Sequence, residues 1–148
     1  VEGDGFRVSF PAPPHQEASM QETGAGLAAT TTWSLAPSEG EYLAVSATHF
    51  PEGTVSTNAP EKVLAGARDG ALANVQGTLV REEAVRVRGP RGGKPSYPGL
   101  DYQATSGQGL RVSTRLLVVG DTLYQLLYVR TGEDDAPFRQ LVGSFALR

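Results

Sequence analysis

Cysteine is absent from this 148-residue chain, isoleucine is absent as well, and only two histidines are present. Without thiols there can be no disulfide framework, no thiolate metal site and no cysteine nucleophile. With His15 and His49 as the sole imidazoles, a histidine-rich metal site is excluded too, and no cofactor is expected. Lysine is nearly missing: Lys62 and Lys94 stand among 13 basic residues that are otherwise arginine. Codon usage in a GC-rich bacterial genome produces that pattern. Long apolar runs are lacking as well. A stretch such as Leu116-Leu117-Val118-Val119 is strand length, far below the roughly 20 residues that a membrane-spanning helix requires.

What is present suits one globular domain. Hydrophobic residues make up 39% of the chain, too many for a disordered segment, and a domain of this length buries roughly 70% of the surface its unfolded chain exposes. The net charge of −3 is unevenly distributed: residues 1–60 hold seven acids against Arg7, while 61–148 hold twelve bases against nine acids. An acidic side and a basic side are therefore expected. The chain opens on Val1 rather than methionine, as it would after removal of an upstream segment, and Gly3, Asp4 and Gly5 read as the end of a linker. The expected organisation is a linker end over 1–5 and a single domain over 6–148. The expected compartment is periplasmic or extracytoplasmic, with a lipid anchor supplied by the upstream segment. A cytoplasmic domain cut from a longer protein would begin the same way.

Period-two alternation predicts strands over 6–10, 15–22, 27–35 and 42–50, a meander punctuated by Pro11, Gly24–Gly26 and Pro37-Ser38-Glu39-Gly40. Asn58-Ala59-Pro60-Glu61 reads as a helix start, with Asn58 as N-cap and proline in the first turn. Leu64, Ala67, Ala71 and Val75 continue it at helical spacing. Gly66 and Gly70 weaken that helix by about 1 kcal/mol each, and their spacing suggests a close approach to the sheet. Further strands are expected over 78–88, 100–105, 110–119 and 122–130, with 89–98 as a loop and Gly120-Asp121 as a two-residue hairpin turn. If Val119 pairs with Thr122, Val112, Leu116, Val118, Leu123, Leu127 and Val129 share a nearly apolar face, which reads as the core. Arg115, Leu117, Tyr124, Leu126 and Tyr128 share the other face, which reads as amphipathic and partly covered. A second helix starts after Glu133-Asp134-Asp135, with Phe138, Leu141, Val142 and Phe145 as its stripe, and an extended tail ends the chain. The expected class is α+β: an antiparallel sheet of about six to eight strands with two helices packed against it.

Four segments resemble those of the PsbP-like superfamily: Phe6-Arg7-Val8-Ser9-Phe10-Pro11-Ala12-Pro13, Tyr97-Pro98-Gly99-Leu100-Asp101-Tyr102, Leu123-Tyr124-Gln125-Leu126, and Phe138-Arg139-Gln140-Leu141-Val142-Gly143-Ser144-Phe145. Small bacterial domains of this kind are often lipoproteins or exported domains. The resemblance implies a sheet flanked by helices and a non-enzymatic scaffold used for binding or assembly. Photosynthetic members bind a membrane complex, but nothing in this sequence matches their functional residues, so none are carried over.

The motifs favour binding over chemistry. Gly89-Pro90-Arg91-Gly92-Gly93-Lys94-Pro95 is no phosphate loop: the glycine spacing is one residue short, proline stands where the hydroxyl belongs, and no helix follows. No Gly-x-Ser-x-Gly elbow occurs, and two unspaced histidines make a weak base or metal signal. The basic cluster of Arg81, Arg86, Arg88, Arg91 and Lys94, with Tyr97 and Tyr102 nearby, is the candidate binding surface. Arg86 and Arg88 share one face of the expected strand. A pI of 5.4 and the intervening Glu82 and Glu83 argue against nucleic acid. Trp33 at strand spacing reads as core. The expected function is a non-catalytic protein-binding or assembly domain of a bacterial cell-envelope or exported protein, with a protein partner or an anionic ligand. The alternative is a small-ligand carrier with a cleft between sheet and helix.

Overall fold

The computed structural model describes residues 1–3, 5–23, 26–90 and 96–148. Asp4, the turn residues Gly24 and Ala25, and the loop stretch 91–95 with the candidate residues Arg91 and Lys94 lie outside the described residues. The elements are β1 (Glu2–Gly3), β2 (Phe6–Arg7), β3 (His15–Thr23), β4 (Gly26–Leu35), β5 (Tyr42–His49), α1 (Pro60–Asn74), β6 (Thr78–Arg88), β7 (Ser96–Thr105), β8 (Arg111–Val119), β9 (Thr122–Arg130), α2 (Ala136–Ser144) and β10 (Ala146–Leu147). Seven strands pair antiparallel in the order β3-β4-β5-β9-β8-β7-β6, and β1, β2 and β10 form a separate small sheet. The class is α+β, as expected. The acidic first sixty residues build the β3–β5 end of the large sheet, and β6 to β9 of the more basic remainder build the other.

Gly120 adopts φ +60°, as a two-residue hairpin needs at its first position, and Val119 pairs with Thr122 in the expected register. Every side chain of β8 and β9 thereby goes to its expected face, but the assignment of the core is corrected. Leu117 and Leu126, on the face read as amphipathic, are fully buried together with Leu43, Val45 and Phe6. Helix α2 and the small sheet cover them. The nearly apolar face of Val112, Leu116 and Val118 packs on α1 through Leu64, and forms a second core. The sheet is thus a middle layer with apolar cores on both sides.

Residues 6–10 do not open the meander. Only Phe6 and Arg7 are paired, and they lie between β1 and β10 in the small sheet. The segment read as a linker end contributes β1, and the Val1 amino group donates to Val8 O at 2.7 Å. Phe6 explains the placement. Its ring meets Trp33 and Tyr124 edge-on at 5.2 and 5.4 Å and stacks on Phe145 at 5.5 Å, which joins the two ends of the chain to the large sheet. Trp33 is core, as read.

Helix α1 begins at Pro60 with Ala59 as N-cap, and the Asn58 amide donates instead to Thr54 O at 2.6 Å. Val75 is its C-cap rather than part of its stripe. Gly66 and Gly70 face away from the sheet: a Cβ at either would meet nothing within 4 Å. The loop leading into α1 is held by Asp121 of the β8–β9 turn. Its carboxylate accepts the N–H groups of Gly53, Val55 and Ser56 at 2.8, 3.0 and 2.7 Å, and these bonds hold its pKa down at about 2.

Candidate functional site

Strand parity distributes the charged residues of β6. Arg81 and Glu83 point to the α2 side, whereas Glu82, Arg86 and Arg88 point to the α1 side. On the α1 side Arg68 of α1 takes Glu82, and the Arg86 guanidinium donates to Ser96 Oγ at 2.9 Å and Ser96 O at 2.8 Å. Arg86 therefore ties β6 to the start of β7. Arg88 is exposed beside it.

On the α2 side the strands β6, β7 and β8 run out from beneath α2 and leave a cleft of about 640 Å³. Its floor carries Asp101 and Arg115, cross-strand partners joined by two hydrogen bonds, Nε to Oδ1 and Nη2 to Oδ2, both 2.7 Å. A bidentate pair of this kind fixes both side chains. Phe138 and Val142 of α2 give an apolar wall, rimmed by Arg139, which bonds Asp135 one turn earlier at 2.5 Å. The opposite wall is β6, where exposed Arg81 and Glu83 make no side-chain hydrogen bond or ion pair among the described residues. One wall is thus apolar, the floor is a fixed ion pair, and the other wall offers one unengaged cation and one unengaged anion.

The candidate surface read from the sequence is not one surface. Arg81 opens onto the cleft, and Arg86 and Arg88 stand on the opposite face. Tyr97 is half-buried against the α2-side core. Tyr102 is only 3% exposed, with its ring in the α1-side core, and burial pushes its hydroxyl above the ordinary tyrosine range. Tyr102 nonetheless contributes to the cleft lining, together with Glu83, Asp101, Gln103, Phe138 and Arg139, none of which was among the candidate binding residues. The alternation of β6 already separates residues 81 and 83 from 86 and 88. The position of α2 over β9 is tertiary and leaves no local trace.

Among the described residues no group of three or more histidine, aspartate or glutamate side chains is placed to hold a metal ion, and no helix is long and apolar enough to cross a membrane. His49 Nδ1 lies 2.9 Å from Thr122 Oγ1, and His15 is on exposed β3.

No family model and no curated protein matches the chain. Among solved structures, it is similar to cyanobacterial PsbP (CyanoP) from Synechocystis sp. PCC 6803, whose solution structure aligns with a TM-score of 0.59 and 16% identity over 98% of this chain and 88% of that one. At this identity the likeness establishes architecture: the chain has the PsbP-like fold that its four sequence segments implied.

Proposed function

We propose that this chain is a non-catalytic binding domain of an exported or cell-envelope bacterial protein, and that the cleft beside α2 receives an extended segment of a protein partner. The carrying observation is the unequal pair of walls. Phe138 and Val142 can take an apolar side chain, while Arg81 and Glu83, with unused hydrogen-bonding capacity, can take charges of either sign two residues apart. The fixed Asp101–Arg115 pair gives the cleft a rigid floor, so little ordering is needed on binding. The domain comprises residues 6–148 with β1 docked onto it.

A peptide library selected on the immobilised domain tests the reading. Enriched peptides should place an aromatic or aliphatic residue near a charge, and Arg81→Glu with Glu83→Lys should weaken them at least about tenfold. Arg86→Glu with Arg88→Glu, on the opposite face, should leave them within about twofold. Equal loss from both double variants would move the site off the cleft. The second reading, carriage of a small ligand, rests on the volume, since about 640 Å³ falls within the usual range of ligand sites. It predicts that a member of a metabolite panel raises the melting temperature of the wild type and not of the Arg81/Glu83 variant.

A further inference from the structure

The large sheet has two open edges, and they are built differently. β6 has the features that discourage pairing: Arg81, Glu82, Glu83, Arg86 and Arg88 along its length, and a register shift between Leu79 and Arg81 that breaks its line. Over its nine residues β3 carries two carboxylates, Glu17 and Glu22, but no basic residue and no break. Its ladder with β4 is unbroken from His15 to Thr23, it contains no proline, lysine or arginine, and every residue is exposed. Met20 is 59% exposed, and Leu27 beside it on β4 is 53% exposed. A long, regular edge with so few guards is a template for another strand.

The sequence of β3 selects the strand that fits. Gln16, Ala18, Met20 and Glu22 lie on the α2 side, with Glu17, Ser19 and Gln21 on the other. An antiparallel copy related by a two-fold axis through Ser19 keeps like faces together. It sets Glu17 opposite Gln21, Gln16 opposite Glu22 and Ala18 opposite Met20, each twice. Every carboxylate then faces an amide that can donate to it, and the apolar pair falls beside the axis. A slip of one residue would put Glu17 opposite Glu22. We propose that β3 is a homodimerisation edge, on which a second copy of this chain pairs antiparallel about Ser19 to make one continuous sheet of both copies.

An interface made by edge strands alone is smaller than the roughly 1,600 Å² of a standard complex, so the dimer should dissociate on dilution. Sedimentation from about 1 mM to about 1 µM should pass from twice the 15.6 kDa chain mass to the chain mass itself. Because the chain has no cysteine, Ser19→Cys introduces a unique thiol on the axis. It should cross-link to a covalent dimer under mild oxidation, while Val80→Cys on exposed β6 should not. Gln21→Glu, an exposed change, sets carboxylates opposite each other twice and should weaken association at least about tenfold with the melting temperature unchanged. A monomer at all concentrations, equal cross-linking at positions 19 and 80, masses running beyond the dimer, or an unaltered dissociation constant for Gln21→Glu would each overturn the proposal.

Discussion

The two faces of the large sheet are sealed to different depths, and their composition does not account for the difference. On the α2 side Leu43, Val45, Leu117 and Leu126 have no exposed surface, although Arg115 of β8 and Arg130 of β9 share their face. On the α1 side, where the faces of β8 and β9 are nearly all apolar, Leu123, Leu127 and Val129 remain half-buried. The number of covering elements decides. Two pieces remote in sequence, β1–β2 from one end of the chain and α2 with β10 from the other, converge on the α2 side through Phe6, Leu141, Phe145 and Leu147. One helix with a single buried side chain, Leu64, and the loop bearing Val55 serve the α1 side, and the threonine and serine residues on that face of β4 and β5 are only half-buried. Depth of burial therefore belongs to the tertiary arrangement, and the alternation of a strand only says which residues compete for it.

Truncating the two covers should expose this difference most. Phe6→Ala removes a fully buried ring from between Trp33, Tyr124 and Phe145, and should cost about 3–5 kcal/mol. Leu64→Ala removes the main anchor of α1, but half-buried Phe50, Val63 and Leu123 can collapse into the space, so roughly 2–3 kcal/mol is expected. Urea midpoints with unchanged slopes would report both. An equal cost would mean that the α1 side is as tightly packed as the other, and that half-exposure at its rim is immaterial.

The same contrast explains what could be read from the chain beforehand. The strands β4, β5, β6, β8 and β9 announce themselves by alternation, and Gly120 at φ +60° makes the central register legible to the residue. β7 begins at Ser96, inside the expected loop, because Pro98 and Gly99 look like punctuation. Yet the β7–β8 ladder starts only at Gly99, so at Pro98 β7 has β6 alone as a neighbour. Gly99 itself permits close pairing: a Cβ there would lie 2.8 Å from Leu116 O. The candidate site was legible only at Arg81 and Tyr102. Asp101 and Arg115 meet across a register that the hairpin alone does not reveal, and α2 supplies Phe138 and Arg139 from far along the chain.

A smaller effect concerns the looser cover directly. Gly66 and Gly70 of α1 have open space where a side chain would stand and ordinary helical backbone, so neither is retained for packing. Gly66→Ala and Gly70→Ala should each stabilise the protein by about 1 kcal/mol, by lowering the entropy lost on folding. Thermal unfolding of the double variant would show a higher midpoint, and a loss of stability would mean that the outer face of α1 meets something other than water.

The smallest effect isolates the loop that helps α1 close its side. Asp121 accepts three backbone N–H groups from residues 53, 55 and 56, and its pKa is held at about 2, below the ordinary value of 3.8. Because the folded value is the lower one, the stabilisation is fully present above about pH 4 and drains away as the pH falls towards 2, where the carboxylate is protonated in both states. Asp121→Asn keeps one acceptor oxygen for Val55 and Ser56 but turns an amide towards the N–H of Gly53, which then has no acceptor. The variant should melt below the wild type at neutral pH, and the gap should narrow between about pH 4 and pH 2. Asp121 is only partly buried, so the difference at neutral pH should be a few degrees at most. A gap that stayed constant through that range would show that the loop is held by Val55 packing against the α1-side core rather than by the charge at the turn.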